Sequence, residues 1–117
     1  MFAVLHEALA HHVGPQAAGF VNVVFSLHDP ERIRGDLSDA GFRDVNVTAA
    51  TTTLHLPRPG EFLWQYVHST PLATAVAALD ENTRAALERD VVAGWQPMTV
   101  DGRLRLELTV ATATARR

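Results

Sequence analysis

Leu27-His28-Asp29-Pro30-Glu31-Arg32-Ile33-Arg34-Gly35-Asp36-Leu37-Ser38-Asp39-Ala40-Gly41-Phe42-Arg43-Asp44-Val45-Asn46-Val47 carries a helix start, a helix stop and a strand start in one run. Asp29 suits an N-cap, Pro30 the first helical position, and Glu31 favours the positive end of the helix dipole. Ile33, Leu37 and Ala40 then share one apolar face. Gly41 supplies the stop, and Phe42 is placed to pack back over the helix end. Val45, Val47, Thr48, Thr51, Thr52 and Thr53 follow as a β-branched concentration that favours a strand, closed by Pro57, Pro59 and Gly60.

Working outward toward residue 1, Phe2, Leu5 and Leu9 recur at helical spacing up to Gly14-Pro15. The apolar run Ala17–Phe25 fits either a short helix or a buried extended segment, because periodicity does not separate the two. On the other side, Glu61 to about Trp95 is helical. Phe62 and Tyr66, Leu63 and Val67, and Trp64 and His68 stand at i, i+4. Thr70-Pro71 reads as an N-cap and first position for a helix through Leu72, Val76 and Leu79. Asp80 caps a further helix with Leu87, Val91 and Trp95 on one face and an exposed Arg84–Glu88 pair outside. Asp101-Gly102 marks a turn, and Leu104, Leu106, Leu108 and Val110 alternate with polar or small residues, as a half-buried strand should.

The expectation is a single α+β domain over 1–117. A helical lead-in occupies 1–42, a strand 43–57, a helical insertion 58–98 and a final strand 103–115. The two strands would form an antiparallel pair with helices packed on it. Such a pair alone is marginal in water and leaves edges that other chains can use, so the sheet is expected to be completed by self-association.

Of 117 residues, 47% are apolar, and ten basic against thirteen acidic side chains leave a formal charge of −3. That balance argues against a nucleic-acid partner. The absence of cysteine removes disulfides, thiolate metal sites and a cysteine nucleophile. The opening residues have no basic n-region, Glu7 interrupts the apolar run, and no stretch reaches membrane-spanning length, so a cytoplasmic location without membrane association is expected. Six histidines invite a metal, but His6, His11 and His12 do not share a helical face, and no His-Glu-x-x-His motif is present. They read as surface residues, and no metal is expected. Gly-x-Ser-x-Gly is also absent, which leaves hydrolase chemistry without support.

The segments Phe25–Pro30 and Leu37–Val47 resemble the late part of class I S-adenosylmethionine-dependent methyltransferases. In that family a helix ending in an Ala-Gly-Phe-type corner feeds the sixth strand, and the seventh returns antiparallel to it. Ala40-Gly41-Phe42 matches the corner, and Thr109–Ala113 looks like the seventh strand. Glu61–Pro97 is similar to the substrate-side insertion of the small-molecule enzymes grouped with the ubiquinone and menaquinone methyltransferases. The resemblance covers nearly the whole chain but only the last half of a family member. The family's glycine-rich cofactor turn works through close backbone approach, and here the seven glycines, at 14, 19, 35, 41, 60, 94 and 102, never fall at Gly-x-Gly spacing.

The resemblance therefore implies a partial class I methyltransferase fold without its cofactor half. Such a chain would serve as substrate wall and assembly element and would neither bind S-adenosylmethionine nor methylate alone. It would form a homodimer or meet a cofactor-binding partner chain. Phe25, Trp64 and Tyr66 are the candidate substrate-binding residues. His68 is the candidate base toward a phenolic or enolic hydroxyl, although aromatic residues at helical spacing more often pack a core. The alternative is a stand-alone module that binds a small apolar ligand without catalysis.

Overall fold

The computed structural model describes residues 1–117. Three helices come first: α1 (Phe2–His12), α2 (Pro15–Val24) and α3 (Pro30–Asp39). Strand β1 (Arg43–His55) is followed by α4 (Pro59–His68), α5 (Leu72–Ala77) and α6 (Glu81–Gly94). A short 3-10 turn (Gln96–Met98) leads to β2 (Thr99–Val100) and β3 (Arg103–Arg116). The architecture is α+β, with one antiparallel sheet of order β1-β3-β2.

Helix α3 forms where the sequence places it. The Asp29 carboxylate accepts the Glu31 N–H at 3.0 Å, with Pro30 at the first position. The Ala40-Gly41-Phe42 corner is a complete Schellman motif. Gly41, at φ +94°, donates to the Ser38 carbonyl, and Phe42 donates to the Leu37 carbonyl. Only a residue without Cβ adopts that φ without strain, so glycine is what allows the chain to reverse into β1. Asp80 caps α6 by accepting the Thr83 N–H at 2.7 Å. Asp101 and Gly102, both at positive φ, make the two-residue hairpin between β2 and β3.

Of the two forms open to the apolar run before Asp29, the helix is the one adopted, as α2, which buries Ala17, Ala18 and Val21. Two details differ from expectation. Thr70 does not cap α5, because its hydroxyl turns back and donates to the Val67 carbonyl at 3.2 Å; Pro71 occupies the N-cap, and the helix ends before Leu79. Arg84 does not pair with Glu88 but lies over the Trp64 ring, 4.9 Å from its centroid. The Glu88 carboxylate instead lies beside Gly60, so close that a side chain at 60 would collide with it.

The larger difference is where the helices pack. Helices on a strand pair were expected, yet the hydrophobic core of 14 residues draws on α1, α2, α4, α5, α6 and Trp95, and takes only Leu104 from the sheet. Helix α3 packs against β1 and β3 but buries no residue fully. The five other helices satisfy their apolar stripes among themselves and leave the strands to project as a ribbon. The extents of 53 × 32 × 19 Å follow, as does a radius of gyration of 17.2 Å, against about 13 Å for a compact chain of this length.

Trp95 anchors the cluster. It is fully buried, its Nε1 donates to the Met1 carbonyl at 2.9 Å, and it joins the end of α6 to the start of α1. A second tie between these helices is the His12 Nε2–Asp90 Oδ2 contact at 2.6 Å.

Candidate functional site

Helix α4 positions three of the four side chains singled out from the sequence. Leu63 and Val67 point into the core, and this fixes what the remaining faces can reach. Tyr66, on the same flank as Phe62, lies 6.2 Å from it between ring centroids. Phe2 of α1 lies 5.7 Å from Tyr66 and 4.4 Å from Phe25, at the end of α2. Phe62 in turn stands 5.8 Å from Trp95. An aromatic line thus runs Phe25–Phe2–Tyr66–Phe62–Trp95, with centroid spacings suited to tilted ring packing.

Trp64 and His68 are not part of it. Two residues apart on a helix means about 200° of rotation, so Trp64 lies away from Tyr66. It carries His68 at 6.2 Å and the Arg84 guanidinium over its face. This second cluster is half open to solvent, and His68 is exposed. The structure brings Phe25 and Tyr66 together through Phe2 and separates both from Trp64 and His68. A base at His68 would act on something lying over Trp64 and Arg84.

The Tyr66 hydroxyl is buried and has no hydrogen-bond partner. Burial raises its pKa above the ordinary 10.0, because the phenolate would lose solvation that nothing replaces. It is the one polar group on the aromatic line with unused donor and acceptor capacity. Two carboxylates move the opposite way. Asp80 is lowered by the hydrogen bonds from Thr83, and Asp90 by the hydrogen bond from His12. Both lie away from the aromatic line and serve helix capping or helix pairing.

A groove of about 670 Å³ opens between the α2–α3 connection and the sheet, lined by Val24, Phe25, Leu27 and Pro30 on one side and Leu108–Ala111 on the other. A cleft of about 410 Å³ beside Phe2, His6, Val21 and Phe25 lies next to it. Phe25 belongs to both. Sequence reasoning missed Phe2, Val24, Leu27 and Arg84. Val24 and Leu27 had a readable signal, being apolar residues in the approach to a polar Asp-Pro cap, whereas Phe2 and Arg84 are defined by tertiary packing.

No three His, Asp or Glu side chains converge into a group that could hold a metal ion. The residues also do not fit S-adenosylmethionine as its family binds it. The strand that leads into a helix, β1, does so through Leu56-Pro57-Arg58, with no glycine in the turn. Gly60 and Gly94 are close to side chains, Glu88 and Val4, so their lack of Cβ accommodates helix packing. No helix is long and apolar enough to cross a membrane.

Fold and site together define an α+β chain whose packed aromatic line reaches, at Phe25, a groove between the helices and the ribbon. Compared with known proteins, it matches no family model, no curated protein and no solved structure.

Proposed function

We propose that this chain is the substrate-side and assembly part of a class I methyltransferase-like fold, without cofactor binding or methyl transfer of its own. The observation that carries the reading is the antiparallel β1–β3 pair, entered through the Ala40-Gly41-Phe42 corner and separated by the inserted helices α4 to α6. The resemblance implies that order of parts. Phe25 and Phe2 form the wall offered to an apolar acceptor, with Tyr66 packed behind them, and the buried Tyr66 hydroxyl would orient the acceptor's oxygen once the line opens to admit it. Trp64 and His68 lie on a separate surface and are secondary candidates.

Calorimetric titration of the folded chain with S-adenosylmethionine and S-adenosylhomocysteine tests the reading. No heat is expected from either. Saturable, stoichiometric binding would overturn it, because a cofactor site would then have to be built from these residues.

The second reading, a small-ligand module without catalysis, is favoured by the unpartnered Tyr66 hydroxyl on an otherwise apolar line. Its signature is saturable quenching of Trp95 fluorescence by an apolar ligand bearing one hydroxyl or carbonyl. Tyr66→Phe would weaken that binding about fivefold to tenfold, the worth of one net hydrogen bond. Quenching indifferent to Tyr66→Phe would count against it.

A further inference from the structure

We infer that the free edge of β3 and the apolar groove beside it form one surface that pairs with a second copy of this chain, β3 against β3, about a two-fold axis near Thr109. β2 covers β3 only at Arg103 and Leu104. Beyond them lies an open edge whose residues Leu108–Ala115 include no charge, proline or glycine, a length of about 27 Å. Natural sheets usually protect such an edge with a charge, a proline or a bulge. The opposite edge of the sheet is guarded only at its start, and its run Asn46–Leu54 is likewise free of charge, proline and glycine, so the groove against Leu108–Ala111 is what singles out β3. β1 is irregular between Arg43 and Asn46, Asp44 sits at φ +52°, and Arg34 Nη1 of α3 donates to the Val45 carbonyl at 3.0 Å.

The exposed apolar residues mark the same place. Val23, Val24 and Leu27 are 70%, 51% and 55% exposed, and Val110 on β3 is 49% exposed. The groove lined by Val24 and Leu27 takes Leu108, Thr109, Val110 and Ala111 of β3, with Ala49 of β1, as its sheet wall. A second copy fits because the four β3 residues straddle the axis. Pairing about Thr109 sets Leu108 opposite the partner's Val110 and Glu107 opposite the partner's Ala111, so no like charges face each other, and each groove is brought beside the other's strand. One symmetry operation covers both the edge and the groove, as a closed two-fold interface requires.

The areas agree. The chain exposes 7657 Å², whereas a folded monomer of 12.8 kDa exposes about 6,300 Å². The surplus of about 1,400 Å² exceeds the roughly 800 Å² per partner of a standard interface. The inference does not depend on the methyltransferase-like reading.

Edge chemistry supplies the test. Leu104 turns its N–H and carbonyl toward the β1 side, bonding Pro57 and Leu56. By antiparallel alternation Ala111 therefore turns its own toward the free edge. Ala111→Pro removes an outward donor without breaking a β1–β3 bond, and Leu27→Glu places charge on the exposed patch. Thr53→Pro, on the outer edge of β1, is the control.

Sedimentation equilibrium should give a mass of twice 12.8 kDa for the unaltered chain. The dimer dissociation constant should rise at least about tenfold in Ala111→Pro and in Leu27→Glu, and stay unchanged in Thr53→Pro, with circular dichroism alike in all. A monomer at every concentration, or a dimer indifferent to both variants, overturns the inference. So does a chain that gains mass only when a different polypeptide is added, since the edge would then belong to that polypeptide.

Discussion

Replacing Tyr66 by Phe should stabilise the protein. The ring stays in place between Phe2 and Phe62, at centroid distances of 5.7 and 6.2 Å, so the apolar contacts are preserved. What is lost is a hydroxyl that is buried and bonded to nothing. An unsatisfied buried polar group costs about 1–3 kcal/mol, and the lower end applies because the rest of the side chain is only half-buried. The gain is therefore about 1 kcal/mol, a rise in melting temperature of about 4 °C for a domain of this size. Urea unfolding followed by Trp fluorescence measures it. The pH dependence gives an independent check. Because burial raises the folded-state pKa above the ordinary 10.0, the protonated phenol's share of stability is intact below pH 10 and is lost as pH rises through the folded pKa. The Phe variant lacks that group, so its advantage should widen above pH 10. A variant that is destabilised by 1 kcal/mol or more, with no alkaline divergence, would refute the reasoning and mean that the hydroxyl is satisfied.

Asp90→Asn should flatten the acid limb of the stability profile. The hydrogen bond from His12 lowers the Asp90 pKa below its ordinary 3.8, so the carboxylate's contribution is present above pH 3.8 and is lost as pH falls through the folded value; melting temperatures from pH 6 to 2 read it, and an unchanged acid limb would contradict the α1–α6 tie. Gly41→Ala should cost about 1–2 kcal/mol, since φ at this position is +94° and a Cβ there is strained although space is open. Chemical denaturation checks it, and a neutral substitution would show that the corner relaxes.

What was legible in the sequence was chemistry that acts over a few residues. Asp29-Pro30, Ala40-Gly41-Phe42, Asp80 and Asp101-Gly102 each set a boundary through a local hydrogen bond or a φ angle, and each does so in the structure. The run Ala17–Phe25 was not legible, because Ala, Val and Phe are equally at home in a buried helix and a buried strand. Thr70-Pro71 misled because a threonine hydroxyl can bond backward to i−3 as readily as it caps forward. The alternation from Leu104 to Val110 predicted a half-buried strand, and Leu104, Leu106 and Leu108 follow it, but only Leu104 is fully buried because α3 covers the rest of the strand only in part. Alternation records which face is apolar, not whether a neighbour is present. The separation of Trp64 from Tyr66 could have been read from their spacing, whereas the approach of Phe2 to both Phe25 and Tyr66 depends on how α1 meets α2 and α4.

The division between helices and ribbon makes stability and assembly separable. Of the 14 core residues only Leu104 comes from a strand, so the helical cluster holds together by its own burial. The ribbon is held by its hydrogen-bond ladder, by the Thr51–Thr109 hydroxyl pair at 2.8 Å and by one face of α3. If the chain pairs through β3 as inferred, substitutions along Leu108–Ala115 should alter association with little effect on the cluster, and substitutions around Trp95 should do the reverse. Phe25 is where the two meet. It packs on Phe2 within the aromatic line and also lines the groove against β3. If a second copy covers that groove, the outer end of the aromatic line closes with it. Ligand access at Phe25 then becomes linked to the monomer–dimer equilibrium, and a ligand that binds only the open form must weaken the dimer by the same factor by which dimerisation weakens the ligand.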